Sequence, residues 1–341
     1  MFNQVAWVWI AFAAYNLLLV GLGIYLYRLY RDEDLSEYVL AGRKLGLIPT
    51  ALSAYASGTS GWGLVGITGM AYVTGLPMLW YATGGILWSY ATFFLIGRRL
   101  RVLSGELDSL TLTDFFCKRF DDKNNILRVA VTVICLVFMI GYVASQMSAA
   151  GKAFLGFLDI GYVQGTIFSA TVVIFYTFLS GFRGVAYTDV VQGGFLLIGL
   201  VALTMLGFVH CDGLSGLVGS ISAQDSSLLT VTGGRALGPL LGFVFSWFAS
   251  GAMGFGNPHV ATRVMAIDDD LKLRNAGLLT VTCNVTAIYT GVWLGLIGRA
   301  VFPTIPDPEL VFPMLAVKFA PPFVVGLFIV DPNVKTQFLR I

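Results

Sequence analysis

Residues 53–63, SAYASGTSGWG, place small and polar side chains at the centre of a long apolar segment. Apart from one tyrosine and one tryptophan, the stretch contains only Ser, Thr, Gly and Ala, whereas a lipid-facing helix carries mainly Leu, Ile and Phe. Three interpretations are open: close packing against a neighbouring helix, an interrupted helix, and a cation or solute site at the interruption. Gly58, Gly61 and Gly63 favour an interruption, because glycine lowers the cost of unwinding a helix.

The whole chain has the composition of a polytopic membrane protein. Of its 341 residues, 57% are hydrophobic and 12% are charged, about half the roughly 25% charged residues of a soluble domain. Apolar runs of about 20 residues, long enough to cross a hydrocarbon core of roughly 30 Å, recur along the sequence. We predict nine membrane-spanning helices, near residues 5–27, 47–73, 76–97, 126–151, 161–180, 187–209, 237–259, 276–301 and 313–330.

The positive charges predict how these spans are oriented. The loops after the first, third, fifth and seventh spans hold 15 lysines and arginines, and the loops after the second, fourth, sixth and eighth spans hold four. By the positive-inside rule, the N-terminus lies outside and the basic loops are cytoplasmic, in a plasma (inner) membrane. The largest basic loop, residues 98–125, contains LTLTDFF, which predicts a short amphipathic helix capped by Thr113 or Asp114.

Several classes of function are excluded by what the sequence lacks. The four cysteines form no CxxC pair and the chain has only two histidines, which argues against a transition-metal site and against thiol chemistry. There is no Walker A or nucleophile-elbow pattern, so neither an ATPase nor a membrane hydrolase is indicated. A net charge of +2 does not suggest nucleic-acid binding. We therefore predict that the protein is not an enzyme and has no organic cofactor.

From Leu40 onward, the sequence resembles the sodium/solute symporter family and, within it, the sodium/proline symporter branch. The matching stretches, in order, are LAGRKLGLIPTALSAYASGTSGWGLVGITGMAY, SLTLTDFFCKRFDDKNNILR, IGYVASQ, FYTFLSGFRGVAYTDVVQG and GFGNPHVATRVMA. The resemblance implies a LeuT-like inverted-repeat fold and sodium-coupled import of a small organic solute by alternating access. It divides the chain into an extra N-terminal helix at 5–27, a first five-helix repeat at 47–209, a partial second repeat at 237–330 and a polar tail at 331–341.

The resemblance also implies roles for individual residues. Ala56 and Thr59 match residues whose backbone carbonyls bind sodium, the only metal ion expected, and oxygen ligands suit such a hard cation. The sodium and substrate sites would be lined by Ser57, Gly58, Ser60, Gly61, Trp62 and Tyr142. Arg43 and Asp189 would couple sodium to the solute. From the residues alone, Tyr142 can equally be a packing aromatic, and Asp189 can be an interfacial N-cap.

Three departures from the family pattern limit what the resemblance implies. Gly58 stands where the sodium/proline branch carries an aspartate, and Ser250 and Gly254 stand where it carries Trp and Tyr, so proline as the solute is in doubt. Another amino acid or a small carboxylate remains open. In the polar tail, DPN followed by Lys and Arg cannot continue a membrane helix, which predicts a short ninth span.

This third departure predicts a truncated chain that is inactive in transport by itself. Two alternatives are the solute-sensing membrane domain of a signalling protein and a non-functional remnant. The expected partners are sodium, a small organic solute and the lipid bilayer, and the sequence does not indicate an oligomeric state.

Overall fold

The computed structural model describes residues 2–30, 34–61, 66–158, 161–251 and 256–325, and within them the regular structure is helical. The predicted all-α fold is therefore confirmed. Trp62 and the predicted polar tail at 331–341 lie outside the described residues. The helices are α1 (Phe2–Tyr30), α2 (Leu35–Leu40), α3 (Leu47–Gly61), α4 (Ile67–Thr74), α5 (Leu79–Ala91), α6 (Arg98–Glu106), α7 (Leu112–Arg119), α8 (Ile126–Leu158), α9 (Tyr162–His210), α10 (Gly213–Ser222), α11 (Leu237–Gly251), α12 (Pro258–Ala266), α13 (Leu273–Val301) and α14 (Val311–Phe319).

Long apolar helices account for the membrane character of the chain. In the described residues, five helical stretches are long and apolar enough to cross a membrane, namely Trp9–Tyr30, Leu76–Glu106, Ile126–Ala144, Gly181–His210 and Asp270–Val301. The second stretch is continuous because a π-helical segment, Thr92–Gly97, joins α5 to α6. Tyr162–Phe175 and Leu237–Gly251 are shorter apolar helices.

Two predicted spans, 47–73 and 237–259, each contain two described helices. The first contains α3, which is helical from Leu47 through Gly61, and α4, which begins at Ile67, so no interruption lies within residues 53–61. The second was predicted as one continuous helix, which is wrong: Asn257 is extended, with φ −76° and ψ 116°, and α12 begins at Pro258. Proline suits the first turn of a helix but cannot donate the backbone hydrogen bond that would continue one.

The last predicted span, 313–330, is also not a single helix. Helix α14 ends at Phe319, and Ala320 adopts an extended conformation with φ −95° and ψ 148°. The residue that precedes a proline is disfavoured in helical geometry, and Pro321 follows directly. Helical structure resumes at residue 322, and the described residues end at 325.

Helix α9 joins two predicted spans through a sharp bend at Gly181. The predicted loop between 180 and 187 is almost entirely helical, and only Gly181 departs from helical geometry, with φ 57° and ψ −159°. Side chains rarely adopt this conformation, so glycine is required here. A Cβ at Gly181 would also lie 2.8 Å from the carbonyl oxygen of Tyr38, which shows how closely α2 approaches the bend.

Two smaller sequence predictions are corrected by the structure. Thr111, and not Thr113 or Asp114, caps α7: the Thr111 hydroxyl accepts a hydrogen bond from the backbone N–H of Asp114. The reason is that the helix begins at Leu112, two or three residues earlier than a cap at Thr113 or Asp114 would give. The stretch after α9, predicted as a loop, contains the helix α10, whose apolar residues Leu217 and Ile221 are buried.

Helix α13 lies at the centre of the packing and contacts α3, α4, α5 and α9. Leu294, Leu296 and Ile297 of α13 are fully buried in the main core cluster. A Cβ at Gly295 would lie 2.5 Å from the Cβ of Ala71, so this glycine lets α13 and α4 approach closely. The interrupted helices α3/α4 are thereby held against a continuous helix.

Candidate functional site

A cavity of about 90 Å³ lies where α3 and α11 end. It is bounded by these two helices together with α5, α12 and α13. Its lining residues are Ala54, Gly58, Thr59, Ile67, Tyr81, Gly85, Ser89, Thr92, Phe93, Ser250, Gly251, Asn257, Val260, Thr280, Asn284 and Ile288. None of these described lining residues carries a charged side chain, so the cavity is polar but neutral.

The space around Gly58 shows whether the small-residue stretch serves close helix packing or borders a cavity. A Cβ at Gly58 would meet nothing within 4 Å, and Gly58 lines the cavity, so close packing does not require a glycine here. Close packing does occur two residues away, on the opposite face of α3, because a Cβ at Gly193 of α9 would lie 3.2 Å from the Cβ of Ala56. The stretch therefore serves packing on one face and borders a cavity on another.

The start of α12 gives one side of this cavity an electrostatic direction. Asn257 lines the cavity, is extended with φ −76° and ψ 116°, and directly precedes α12, so the N-terminal end of this helix lies beside the cavity. Helix N-termini favour anions. This side of the cavity can hold a carboxylate.

A chain of neutral hydrogen bonds crosses the cavity wall. The Thr59 hydroxyl donates to Oδ1 of Asn284 over 3.4 Å, and Nδ2 of Asn284 donates to the Ser89 hydroxyl over 2.7 Å. These three residues belong to α3, α13 and α5, so the chain connects three helices. Sequence reasoning missed Asn284 and Ser89, although a carboxamide inside the apolar helix α13 is a signal that could have identified the first.

Asp189 lies in a buried ion pair rather than at a helix terminus. Its Oδ2 accepts hydrogen bonds from the Ser53 hydroxyl at 2.6 Å and from Nη2 of Arg263 at 2.7 Å. The side chains of Arg263 and Asp189 are only 5% and 14% exposed. Nε of Arg263 also donates to the Ser53 hydroxyl over 2.5 Å, which closes a triangle of three residues. The alternative interpretation of Asp189 as an interfacial N-cap is wrong, because the residue lies inside α9.

Tyr142 extends this cluster to α8. Its hydroxyl donates to the backbone carbonyl of Ser57 over 3.3 Å, and the Ser57 hydroxyl donates to Oδ2 of Asp189 over 3.2 Å. The Tyr142 ring also lies against the imidazole of His259, with ring centroids 5.4 Å apart. The structure therefore brings Ser57, Tyr142 and Asp189 together, as the prediction of a shared site requires.

Both predicted sodium ligands, Ala56 and Thr59, lie within helix α3. Thr59 lines the cavity, whereas Ala56 lies on the other side of α3, near Gly193. Ser60 and Gly61 are the last described residues of α3, and Trp62 lies outside the described residues. The role of the two carbonyls as sodium ligands stays a prediction.

Arg43 lies apart from this cluster, at a junction of three segments. Its Nη2 donates to the carbonyls of Ser104 and Ser109 at 2.7 and 2.8 Å, and its Nη1 donates to the carbonyl of Met265 at 3.3 Å. Burial lowers the pKa of the Arg43 guanidinium, and the neighbouring positive charge of Arg101 acts in the same direction. An arginine still keeps its charge at physiological pH.

Helix α12 connects all three parts of the site. It begins after Asn257 at the cavity, carries Arg263 to the carboxylate of Asp189, and ends near Met265, whose carbonyl binds Arg43. The sequence prediction counted Arg263 among the charges of a cytoplasmic loop. That placement is wrong, because Arg263 is 4% exposed and ion-paired.

The architecture corresponds to a known class of membrane transporter. A solved structure, described as the substrate-bound outward-open state of a Na⁺-coupled sialic acid symporter, superimposes with a TM-score of 0.80 at 18% identity. It matches 97% of this chain, and the match covers 71% of that structure's chain. The protein therefore has the LeuT-like fold of secondary transporters, as predicted.

Sequence comparisons identify the family. The model of the sodium:solute symporter family matches residues 38–330, and the chain belongs to this family. The sodium/proline symporters of Staphylococcus aureus strains JH9 and COL are each 35% identical to it over 327 residues, which are 94% of this chain. The chain spans 62% of the length of these curated relatives. The family consists of symporters, which confirms the prediction that the protein is not an enzyme.

Proposed function

We propose that this chain forms the sodium- and solute-binding part of a symporter that imports a small amino acid or carboxylate related to proline. The observation that carries the proposal is the neutral cavity between α3, α5, α11, α12 and α13, beside the extended residue Asn257 at which the 237–259 span is interrupted. Interrupted helices of this kind bind coupling ions and anionic solute groups in secondary transporters. The protein would act in the plasma (inner) membrane, with the basic loops in the cytoplasm.

Sodium would bind at the end of α3. Thr59, which lines the cavity, and Ala56 are the two predicted ligands. Backbone oxygens suit a hard cation and add no charge to the membrane interior, where a charge costs several kcal/mol. The solute carboxylate would bind on the N-terminal side of α12, beside Asn257.

Binding of a whole solute requires the helices around the cavity to move. A volume of about 90 Å³ is smaller than the roughly 150 Å³ that accommodates benzene in a protein cavity. Movement of α11 and α12 away from α5 would widen it. Because α12 also holds Arg263 and the carbonyl bound by Arg43, this movement would reach both predicted coupling residues, Asp189 and Arg43.

Only the sequence relatives indicate which solute is bound. The relatives named as sodium/proline symporters favour proline. Ser250, however, lines the cavity where that branch carries an aromatic residue, and its hydroxyl bonds to the carbonyl of Ser246 in the same helix at 2.8 Å. We therefore propose the broader class of small amino acids and carboxylates. The earlier expectation that this chain alone does not transport stays a prediction, so binding is the appropriate first measurement.

Sodium-dependent binding tests the proposal. The purified chain in proteoliposomes is titrated with radiolabelled L-proline and with small carboxylates, in sodium chloride and in choline chloride. We expect saturable binding of at least one of these solutes in sodium and little in choline. Equal binding in both salts, or no binding of any solute, would contradict the proposal.

Gly58→Asp provides a second test, with Gly58→Asn as its control of equal size. The position has room for either side chain, since a Cβ there meets nothing within 4 Å. A carboxylate at the end of α3 attracts a cation bound there, so we expect the sodium concentration for half-maximal binding to fall roughly tenfold, which corresponds to about 1.4 kcal/mol. The amide should leave it near the native value. If both substitutions act alike, sodium does not bind near this residue.

A further inference from the structure

Asn284 and Ser89 have no part in the sodium and carboxylate sites proposed above, yet both line the cavity. Two other hydroxyl groups at the cavity bond to carbonyls of their own helices: that of Thr92 to Trp88, and that of Ser250 to Ser246. The bond from Asn284 to Ser89 differs, because it joins two side chains from different helices over 2.7 Å. A polar side chain within a membrane-spanning helix is costly and often marks a functional site.

The hydrogen-bonding capacity of Asn284 exceeds the bonds it makes to Ser89 and Thr59. A carboxamide offers two N–H donors and an oxygen with two lone pairs. The bond to Ser89 uses one donor, and the bond from Thr59 uses one lone pair. A second N–H and a second lone pair remain on a side chain that borders the cavity. A group that both donates and accepts would match them.

The uncharged lining of the cavity restricts which solute group could bind to Asn284. No described lining residue is charged, so an ionised group of the solute would have no counter-charge beside Asn284. The helix ends that could hold a cation or a carboxylate belong to α3, α4, α11 and α12, whereas Asn284 and Ser89 lie inside α13 and α5. The solute group that reaches them is therefore neutral and polar.

We infer that Asn284 and Ser89 bind a hydroxyl or carboxamide group of the solute, so that the preferred solute is a small amino acid or carboxylate with such a group. This inference rests on the proposed function and adds the solute's side-chain chemistry to it. A site built to bond a hydroxyl discriminates against the analogue that lacks one, because its buried polar groups are then left without partners. Unsubstituted proline has no group of this kind on its ring.

Two pairs of probes that differ by a single hydroxyl test the inference. They are L-proline with its 3- and 4-hydroxy derivatives, and L-alanine with L-serine. Binding of each to the purified full chain in proteoliposomes is measured in sodium chloride. We expect the hydroxylated member of at least one pair to bind roughly 10- to 100-fold more tightly. We also expect Asn284→Leu to abolish this preference.

Thr286→Val is the matched control, because it removes a hydroxyl from the same helix that bonds to the carbonyl of Thr282 and does not line the cavity. It should keep the preference. If Asn284→Leu does not fold, as judged by its thermal unfolding, Ser89→Ala takes its place. Sodium-dependent binding without a preference, or a preference that survives both substitutions, overturns this inference alone. If no probe and no carboxylate binds in sodium, the proposed function fails and this inference fails with it.

Discussion

Asp189 and Arg263 form the polar contact that most constrains the site. Two charges buried in a membrane protein are stabilised only while they are paired, because removing one leaves the other without a partner in a medium of low polarity. The Ser53 hydroxyl adds a donor to the carboxylate and an acceptor to the guanidinium. The pair therefore holds α12 to α9 and α3 in one defined arrangement.

Single and double substitutions of this pair should be non-additive. We expect Asp189→Asn and Arg263→Met each to reduce the free energy of unfolding by about 3–5 kcal/mol, because each leaves a buried charge unpaired. The double variant should lose clearly less than the sum, since it buries no charge. Thermal or denaturant unfolding in detergent measures all four proteins. Additive losses would show that the two side chains do not interact in the folded protein.

At the scale of elements, the bend in α9 is held by α2. Glu37 of α2 forms an ion pair with Arg183, two residues after the bend, and both side chains are at most 10% exposed. Arg183 also donates to the carbonyl of Ala41 at 2.8 Å and lies over the ring of Tyr30, 4.0 Å from its centroid. These contacts join the end of α1, helix α2 and the second half of α9.

Gly181→Ala should weaken this junction, and Gly194→Ala in the same helix should not. At Gly181, alanine would be forced into a backbone conformation reserved for glycine and would collide with Tyr38, so we expect a loss of at least ~1–3 kcal/mol. At Gly194, a Cβ meets nothing within 4 Å, and a helical alanine should stabilise by about 0.4–1 kcal/mol. Denaturant titration of both variants compares them. A neutral Gly181→Ala would show that α9 does not bend there.

For the whole molecule, helices from both predicted repeats and the long helix α13 define the site. The repeats, 47–209 and 237–330, remain a prediction: α3 and α4 belong to the first, and α11 and α12, with the extended Asn257 before α12, belong to the second. Helix α13 packs against α3, α4 and α5 and supplies Asn284 to the cavity between them. Movement of one repeat against the other would then change access to this cavity.

The predicted orientation can be tested with single cysteines. In a variant whose four native cysteines are replaced, we expect Ser226→Cys to react with a membrane-impermeant maleimide on intact cells. Lys123→Cys should react only after permeabilisation, because the basic loop that contains it is predicted to be cytoplasmic. Both positions are exposed in the structure, so burial does not bias the comparison. The reverse labelling pattern would show that the topology is the opposite of the predicted one.

The sequence by itself determined the class of protein, the approximate spans and the candidate stretch at 53–63. Hydropathy and charge are local properties of the chain, and five of the long helices can be recognised from them. The bend at Gly181 and the helix start at Pro258 were harder to predict from the sequence, because glycine and proline permit several local structures.

Only the tertiary structure decided which polar residues meet. Asp189 pairs with Arg263, 74 positions away, and Asn284 bonds to Ser89, 195 positions away. In the sequence, Arg263 is one basic residue among many, and Asn284 is a single amide in an apolar run. Their partners depend on how α12 and α13 pack against α3, α5 and α9. Such contacts arise from the packing of distant segments, which no local pattern of residues encodes.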